Sequence, residues 1–168
     1  MTAGIRADRR IVPVAAELLS IAGYIHALAW QASHRDFCAP EFIALHTVER
    51  QTEYLRAKWV AGTDIYMLID CAPVGIVSVT GDLIEDLYVL PDRQNRGYGT
   101  ALLRHAAARC AGPARLWILE NNSGARRLYE REGFVPTGRR SAITDKLDEI
   151  EFILSEKPSS EVHSIEHG

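Results

Sequence analysis

The sequence predicts a mixed α/β domain built around a strand–loop–helix–strand unit, and three observations predict it. Apolar residues recur at helical spacing from Val14 to Gln31. Between Asp64 and Leu90 the pattern becomes three short β-rich runs separated by tight turns. After Pro91 a glycine-rich loop leads straight into another helical stretch.

Ile5 to Arg10 reads as a short first strand. In the helix that follows, Leu18, Ile21, Ile25, Leu28 and Ala29 share one broad face, and Pro13 suits its start. A second helical stretch, Pro40 to Val60, is richer in Glu, Arg and Gln. Strands are expected at Asp64–Asp70, Val74–Thr80 and Leu83–Leu90, turning at Ala72-Pro73 and Gly81-Asp82. Connections this short imply an antiparallel meander. Thr100–Ala111 then reads as a helix and Arg115–Leu119 as a strand. Ser123–Glu132 follows as a helix ended by Gly133, with last strands at Phe134–Arg140 and Glu149–Leu154.

A chain of 168 residues has room for one sizeable core. One domain is therefore expected over residues 1–156, with the polar segment 157–168 a disordered tail. Apolar residues at 47% and charged ones at 24% give the balance of a soluble globular protein. A net charge of −3 supplies no electrostatic reason to expect nucleic acid or a membrane surface as partner. Cys38, Cys71 and Cys110 are too dispersed for a zinc or redox motif, and no metal is expected. The polar first ten residues do not resemble a signal peptide, so a cytoplasmic protein is expected.

The chemistry concentrates in Arg93-Gln94-Asn95-Arg96-Gly97-Tyr98-Gly99-Thr100. Gly97 and Gly99 let backbone N–H groups turn inward at a helix N-terminus, where the dipole is positive and the first donors lack partners. Such a terminus suits a pyrophosphate, with Arg93 and Arg96 adding charge. The loop lacks the Gly-Lys-Ser/Thr of a Walker loop and the third glycine of a dinucleotide fingerprint.

Strand, Q-x-x-G-x-G loop and helix together resemble the acetyl-CoA-binding motif of the GNAT superfamily of N-acetyltransferases. A second segment, Asn122-Ser123-Gly124-Ala125 through Tyr129-Glu130-Arg131-Glu132-Gly133-Phe134, is similar to the family's Asn-x-x-Ala…Tyr-Glu-x-x-Gly-Phe stretch. The resemblance covers Asp64 to about Gly138. It implies a largely antiparallel sheet whose central parallel strand pair splays apart, flanked by helices. The pantetheine arm of acetyl-CoA then lies along the main chain of Leu87, Tyr88 and Val89. Asn122 is similar to the family asparagine that bonds the cofactor, although Asn is also common as a helix cap.

The resemblance also implies direct acetyl transfer to a primary amine of a small molecule or peptide, with Tyr129 as the general acid. Glu85 is preferred as the base, weighed against a structural acid in a salt bridge. Strand alternation sets Glu85 and Asp86 on opposite faces. Trp30, His34 and Asp86 are candidate acceptor contacts, with Tyr24 and Phe37 beside them. Dimers are frequent in the family. The alternatives are a non-catalytic acyl-CoA sensor or partner subunit, and a nucleotide-binding protein using the same loop.

Overall fold

The structure, a computed structural model, describes residues 8–155. They form a mostly antiparallel set of seven strands with one parallel pair and flanking helices. They divide into two compact units, one up to Leu116 and one from Trp117. No helix among the described residues is long and apolar enough to cross a membrane. The expected tail at 157–168 and the first residues of the expected strand at Ile5 lie outside the described residues.

In the first unit β1 (Arg10–Pro13), β2 (Asp64–Asp70), β3 (Ala72–Thr80) and β4 (Leu83–Val89) run antiparallel in that order. The start of β5 (Arg115–Leu119) lies parallel to β4, joined at Leu83↔Arg115, the first residues of both strands. Among the described residues the first strand begins at Arg10, where the expected strand ends. Pro13 closes it, at an outer strand where a residue without an N–H is tolerated. The Val14 N–H still donates to the Ile65 carbonyl at 2.8 Å, so the chain cannot turn helical at Pro13. A 3-10 turn at Ala16–Leu18 intervenes, and α1 spans Leu19–His34.

The stretch Pro40 to Val60 is two helices rather than one, α2 (Pro40–Ala44) and α3 (Val48–Val60). Thr47, in an extended conformation, caps α3 by accepting from the Arg50 N–H at 3.2 Å. The buried side of α1 also differs from the expected face: Ile21 stays 37% exposed, while Leu19, Ala22, Gly23, Ile25, His26, Ala27 and Ala29 are covered. The helix turns its smallest residues inward because α3 comes so close. A Cβ on Gly23 would stand 2.0 Å from Thr52 Oγ1 and 2.7 Å from Thr52 Cα. Below this contact Leu19, Ile25, Leu55, Ile65, Met67 and Ile76 form the core. Helix α4 (Tyr98–Ala107) opens two residues before the expected start and adds Leu102, Leu103 and Ala106 to the buried set.

In the second unit the order is β5-β7-β6, with β7 at Leu147–Leu154 and β6 at Phe134–Thr144. The last two strands form one long hairpin instead of two short segments, its register slipping around Gly138, which adopts φ +89°. Helix α5 (Ser123–Arg131) ends as expected before Gly133, whose φ of +95° suits glycine. Phe134, Ile150 and Phe152 are buried in this unit.

Gly23→Ala should destabilise the protein by about 1–3 kcal/mol through overpacking, read as a lower urea midpoint at unchanged m-value. Adding Thr52→Ser should not restore it, because the Thr52 backbone itself blocks the new methyl group. An unchanged midpoint would mean that α1 and α3 can part at little cost.

Candidate active site

The loop leaves β4 through Leu90 and a 3-10 turn at Pro91–Arg93. The Gln94 side chain ties it back, donating to the Val89 carbonyl at 3.2 Å. Asn95 and Gly97 then adopt left-handed conformations, φ +61° and +81°. These two reversals aim the chain into α4, whose first helical bond runs from the Ala101 N–H to the Gly97 carbonyl. Gly97 is the N-cap and offers no side-chain acceptor, so the first-turn N–H groups have none within the helix.

A Cβ on Gly97 would meet no atom within 4 Å, so glycine is needed there for its backbone conformation, and the space above the loop is open. The Arg96 side chain is exposed, and that of Arg93 is 39% exposed beside Asp92. Donors, positive dipole and arginines around an open cradle fit a pyrophosphate. Tyr98 differs from its neighbours. Its ring is buried under the Arg9 guanidinium and its hydroxyl donates to Asp70 at 2.7 Å, so only its main chain remains for a ligand.

On β4, Leu87, Tyr88 and Val89 are half-buried and lie opposite Val77, Ile76 and Gly75 of β3. The pairing then slips from Val77↔Leu87 to Val79↔Ile84, leaving Ser78 alone opposite both Glu85 and Asp86. This is a β-bulge, and Ser78 Oγ closes it. That oxygen accepts the Asp86 N–H at 3.0 Å and donates to Asp86 Oδ2 at 2.8 Å.

Asp86 is 8% exposed and gathers groups from three other elements. His26 Nε2 of α1 lies 3.2 Å from Oδ1, and the Tyr54 hydroxyl of α3 donates to the same oxygen at 3.2 Å. The Lys58 ammonium of α3 donates to Oδ2 at 2.5 Å and is ion-paired with Glu85 as well. Lys58 Nζ also reaches Tyr54 Oη at 3.3 Å and Ser78 Oγ at 3.4 Å. The expectation that Glu85 and Asp86 serve opposite faces is thus corrected: both meet one ammonium, because the bulge breaks the alternation of a regular strand.

Burial alone would raise the pKa of Asp86, but the His26 hydrogen bond and the Lys58 charge hold it well below the carboxylate range. For Lys58, burial works downward and is outweighed by the Asp86 carboxylate and by hydrogen bonds to Asp86 and Glu85, which hold it above its ordinary value. Burial, then the Asp86 charge, raises Tyr54. A carboxylate acceptor requires an N–H on His26 Nε2, so in the neutral ring Nδ1 carries the lone pair. That buried Nδ1 has no hydrogen-bond partner among the described residues.

Trp30 and His34 join a different cluster. Trp30 lies between His34 and His46 with centroids 3.9 and 3.4 Å away and rings nearly parallel. His34 Nδ1 bonds the Trp30 carbonyl at 2.8 Å, and burial lowers its pKa. Tyr24 and Phe37 stay exposed. In the second unit Tyr129 is 8% exposed and burial pushes its pKa up to about 12, so the phenol is protonated throughout the neutral range. Asn122 is the N-cap of α5: its Oδ1 accepts the Ala125 N–H at 3.1 Å, leaving the amide nitrogen to reach elsewhere.

Four members of the Asp86 cluster escaped the sequence reading: His26, Tyr54, Lys58 and Ser78. Their trace is faint but physical. His26 and Ser78 are polar residues within apolar runs, and Tyr54 and Lys58 stand one helical turn apart.

Residues 57–136 match the family model described as an acetyltransferase (GNAT) domain. Over 81 residues, 48% of this chain, the sequence is 35% identical to the peptidyl-lysine N-acetyltransferase YjaB of Salmonella typhimurium. That stretch is 52% of the relative, so the chain spans about half of its length. The fold is similar to that of apo YjaB from Escherichia coli, with a TM-score of 0.67, 21% identity and coverage of 87% of this chain and 97% of that one. It is also similar to yncA of Salmonella typhimurium, solved with its cofactor acetyl-CoA, with a TM-score of 0.65, 17% identity and coverage of 93% and 99%. Likeness at these identities establishes the fold.

Removing the Asp86 carboxylate breaks a buried ion pair, leaving Lys58 only Glu85 as counter-charge and depriving His26 Nε2 and the Tyr54 hydroxyl of their acceptor. Asp86→Ala should therefore cost about 3–5 kcal/mol in urea unfolding. Because Asp86 is depressed in the folded state, its contribution is complete above the unfolded carboxylate value of about 3.9 and is lost as pH falls through the folded one. Urea midpoints measured from pH 6 down to pH 2 should therefore decline in the unmodified protein, and less steeply in Asp86→Asn. Parallel curves would remove Asp86 as the source of the acid sensitivity.

Proposed function

We propose that this chain is a GNAT-type N-acetyltransferase moving an acetyl group from acetyl-CoA directly to a primary amine, a reading supported by the match of residues 57–136 to the acetyltransferase (GNAT) domain model. The observation that carries the reading is the loop between β4 and α4, where two left-handed residues open a helix N-terminus toward empty space beside exposed arginines. Acetyl-CoA supplies the activated thioester carbonyl. The chain supplies binding, orientation and proton transfer.

In this reading the first-turn N–H groups of α4, from Tyr98, Gly99 and Thr100, bind the pyrophosphate together with Arg93, Gln94, Asn95 and Arg96. The main chain of Leu87, Tyr88 and Val89 holds the pantetheine arm as an added strand would be held. The Asn122 amide nitrogen gives a further cofactor contact. A primary alkylamine has a pKa of about 10 and must lose a proton before it attacks. Glu85, the more exposed acid of the bulge, takes that proton through its carboxylate. Tyr129 donates its phenolic proton to the departing sulfur, and burial keeps that proton in place until then.

Asp86 has a different part from the one expected, since both of its oxygens are taken by groups of its own chain; it anchors the bulge. The rings of Trp30 and His34 bound the acceptor side. The name of the relative YjaB, a peptidyl-lysine acetyltransferase, supports a primary amine as acceptor.

Acetyl-CoA at a hundredfold excess over its Kd should stabilise the protein by about 2.7 kcal/mol, raising Tm by roughly 5–10 °C, whereas ATP should not. Absence of any shift with acetyl-CoA would sink the reading, and a shift without thiol release across an amine panel would make the protein a sensor. Tyr129→Phe should lower kcat by about a hundredfold while keeping the acetyl-CoA shift. Wild-type turnover in that variant would remove Tyr129 as the acid.

A further inference from the structure

The Asp86 cluster holds one cation and two anions in direct contact, and their count has a chemical consequence. Lys58 Nζ lies against Asp86 and Glu85 at the bulge of β4, against Tyr54 Oη on its own helix and against Ser78 Oγ on β3. From α1, His26 faces the same centre through Asp86. The two carboxylates and the one ammonium together carry a single net negative charge, and His26 meets them through its Nε2. The Glu85 side chain, 29% exposed against 9% for Asp86 and 14% for Lys58, presents that charge to solvent.

An acceptor amine feels this charge in two opposing ways. Negative charge draws its ammonium form in, and the same charge holds the proton that must leave before attack. A site of charge −2 would bind the ammonium more tightly and release its proton less readily. A site of charge zero would do the reverse.

We propose that Lys58 is a positioning residue that offsets one of the two bulge carboxylates, so that the acceptor amine meets a single uncompensated negative charge and loses its proton at a lower pH than the paired acids alone would allow. The inference rests on the acceptor approaching Glu85, as in the mechanism above. Lys58 acts through Glu85 and Asp86. Its four acceptors leave it no donor to spare for the substrate, and its own charge is locked by the Asp86 carboxylate across the working pH range.

The test measures kcat and KM from pH 6 to pH 10 by thiol release, with an N-terminally blocked lysine peptide and n-butylamine as acceptors. Lys58→Met, at site charge −2, should lower kcat about tenfold at pH 7, leave KM equal or smaller, and move the acid limb up by about one unit, the tenfold equivalent. Asp86→Asn, at charge zero, should move that limb the other way. The double variant Lys58→Met/Asp86→Asn returns the charge to −1 and should restore the wild-type limb, and Lys58→Arg should keep it. A purely structural role predicts lower stability in each variant, the double worst, with limbs unmoved.

An unmoved limb in both single variants overturns the inference, and so does a double variant displaced further than Lys58→Met. If Lys58→Met does not fold, the shifts of Asp86→Asn and of the double variant decide alone. Glu85→Gln separates this inference from the reading beneath it. Full turnover in Glu85→Gln removes Glu85 as base, while the direction of the limb in the other variants still judges Lys58. No turnover of either amine by the unmodified protein overturns both.

Discussion

The ion pair between Asp86 and Lys58 is the contact on which the first unit depends. A carboxylate 8% exposed on a central strand would be costly alone, and so would a lysine drawn down from a helix to reach it. Together, with Ser78, Tyr54 and His26 supplying the remaining hydrogen bonds, they fasten α1, α3 and β3 to one point of β4. That point is the bulge, and Asp86 serves both as hub of the network and as the residue whose N–H Ser78 satisfies. The Ser78 and Tyr54–Lys58 contacts are local, but the meeting of His26, Tyr54 and Lys58 with Asp86 joins segments 28 to 60 residues apart and so needs the fold.

The loop after β4 is built on a different principle. Its shape follows from φ at Asn95 and Gly97, with Gln94 and the buried Tyr98 tying down its ends, and the α4 dipole points its positive end at the loop. Local backbone conformation makes the loop proposed to hold the pyrophosphate, whereas tertiary contact makes the acid cluster. The first is written in consecutive residues and the second is not.

That difference explains what could be read in advance. The loop, the three strands before it, α5 and its terminal Gly133 were legible because their signals are local: glycine positions, alternation, a helix stop. The elements misplaced were those in which a distant partner decided the outcome. Val14 stays paired with Ile65, which delays α1, and the nearness of Thr52 turns Gly23 rather than Ile21 inward. Glu85 and Asp86 stood out in an apolar strand, but their shared ammonium did not. A one-residue slip between β3 and β4 leaves no mark in the sequence of either strand, and Lys58 reads as one more charged residue on a polar helix. His26, likewise, is distinguished only by sitting where an apolar residue would be expected.

The close approach of α1 to α3 at Gly23 bears on the reach of Lys58. A lysine stem has a fixed reach, so where its tip arrives depends on how far its helix stands from the sheet. Thr52 rests directly on α1, and Lys58 follows six residues later, about 9 Å along the same axis. The glycine thus works as a spacer of zero thickness. It sets the stand-off of α3 and, through it, the depth at which a positive charge enters the bulge. A residue with no polar side chain, on a helix that only faces the carboxylates, is in this sense part of their electrostatics.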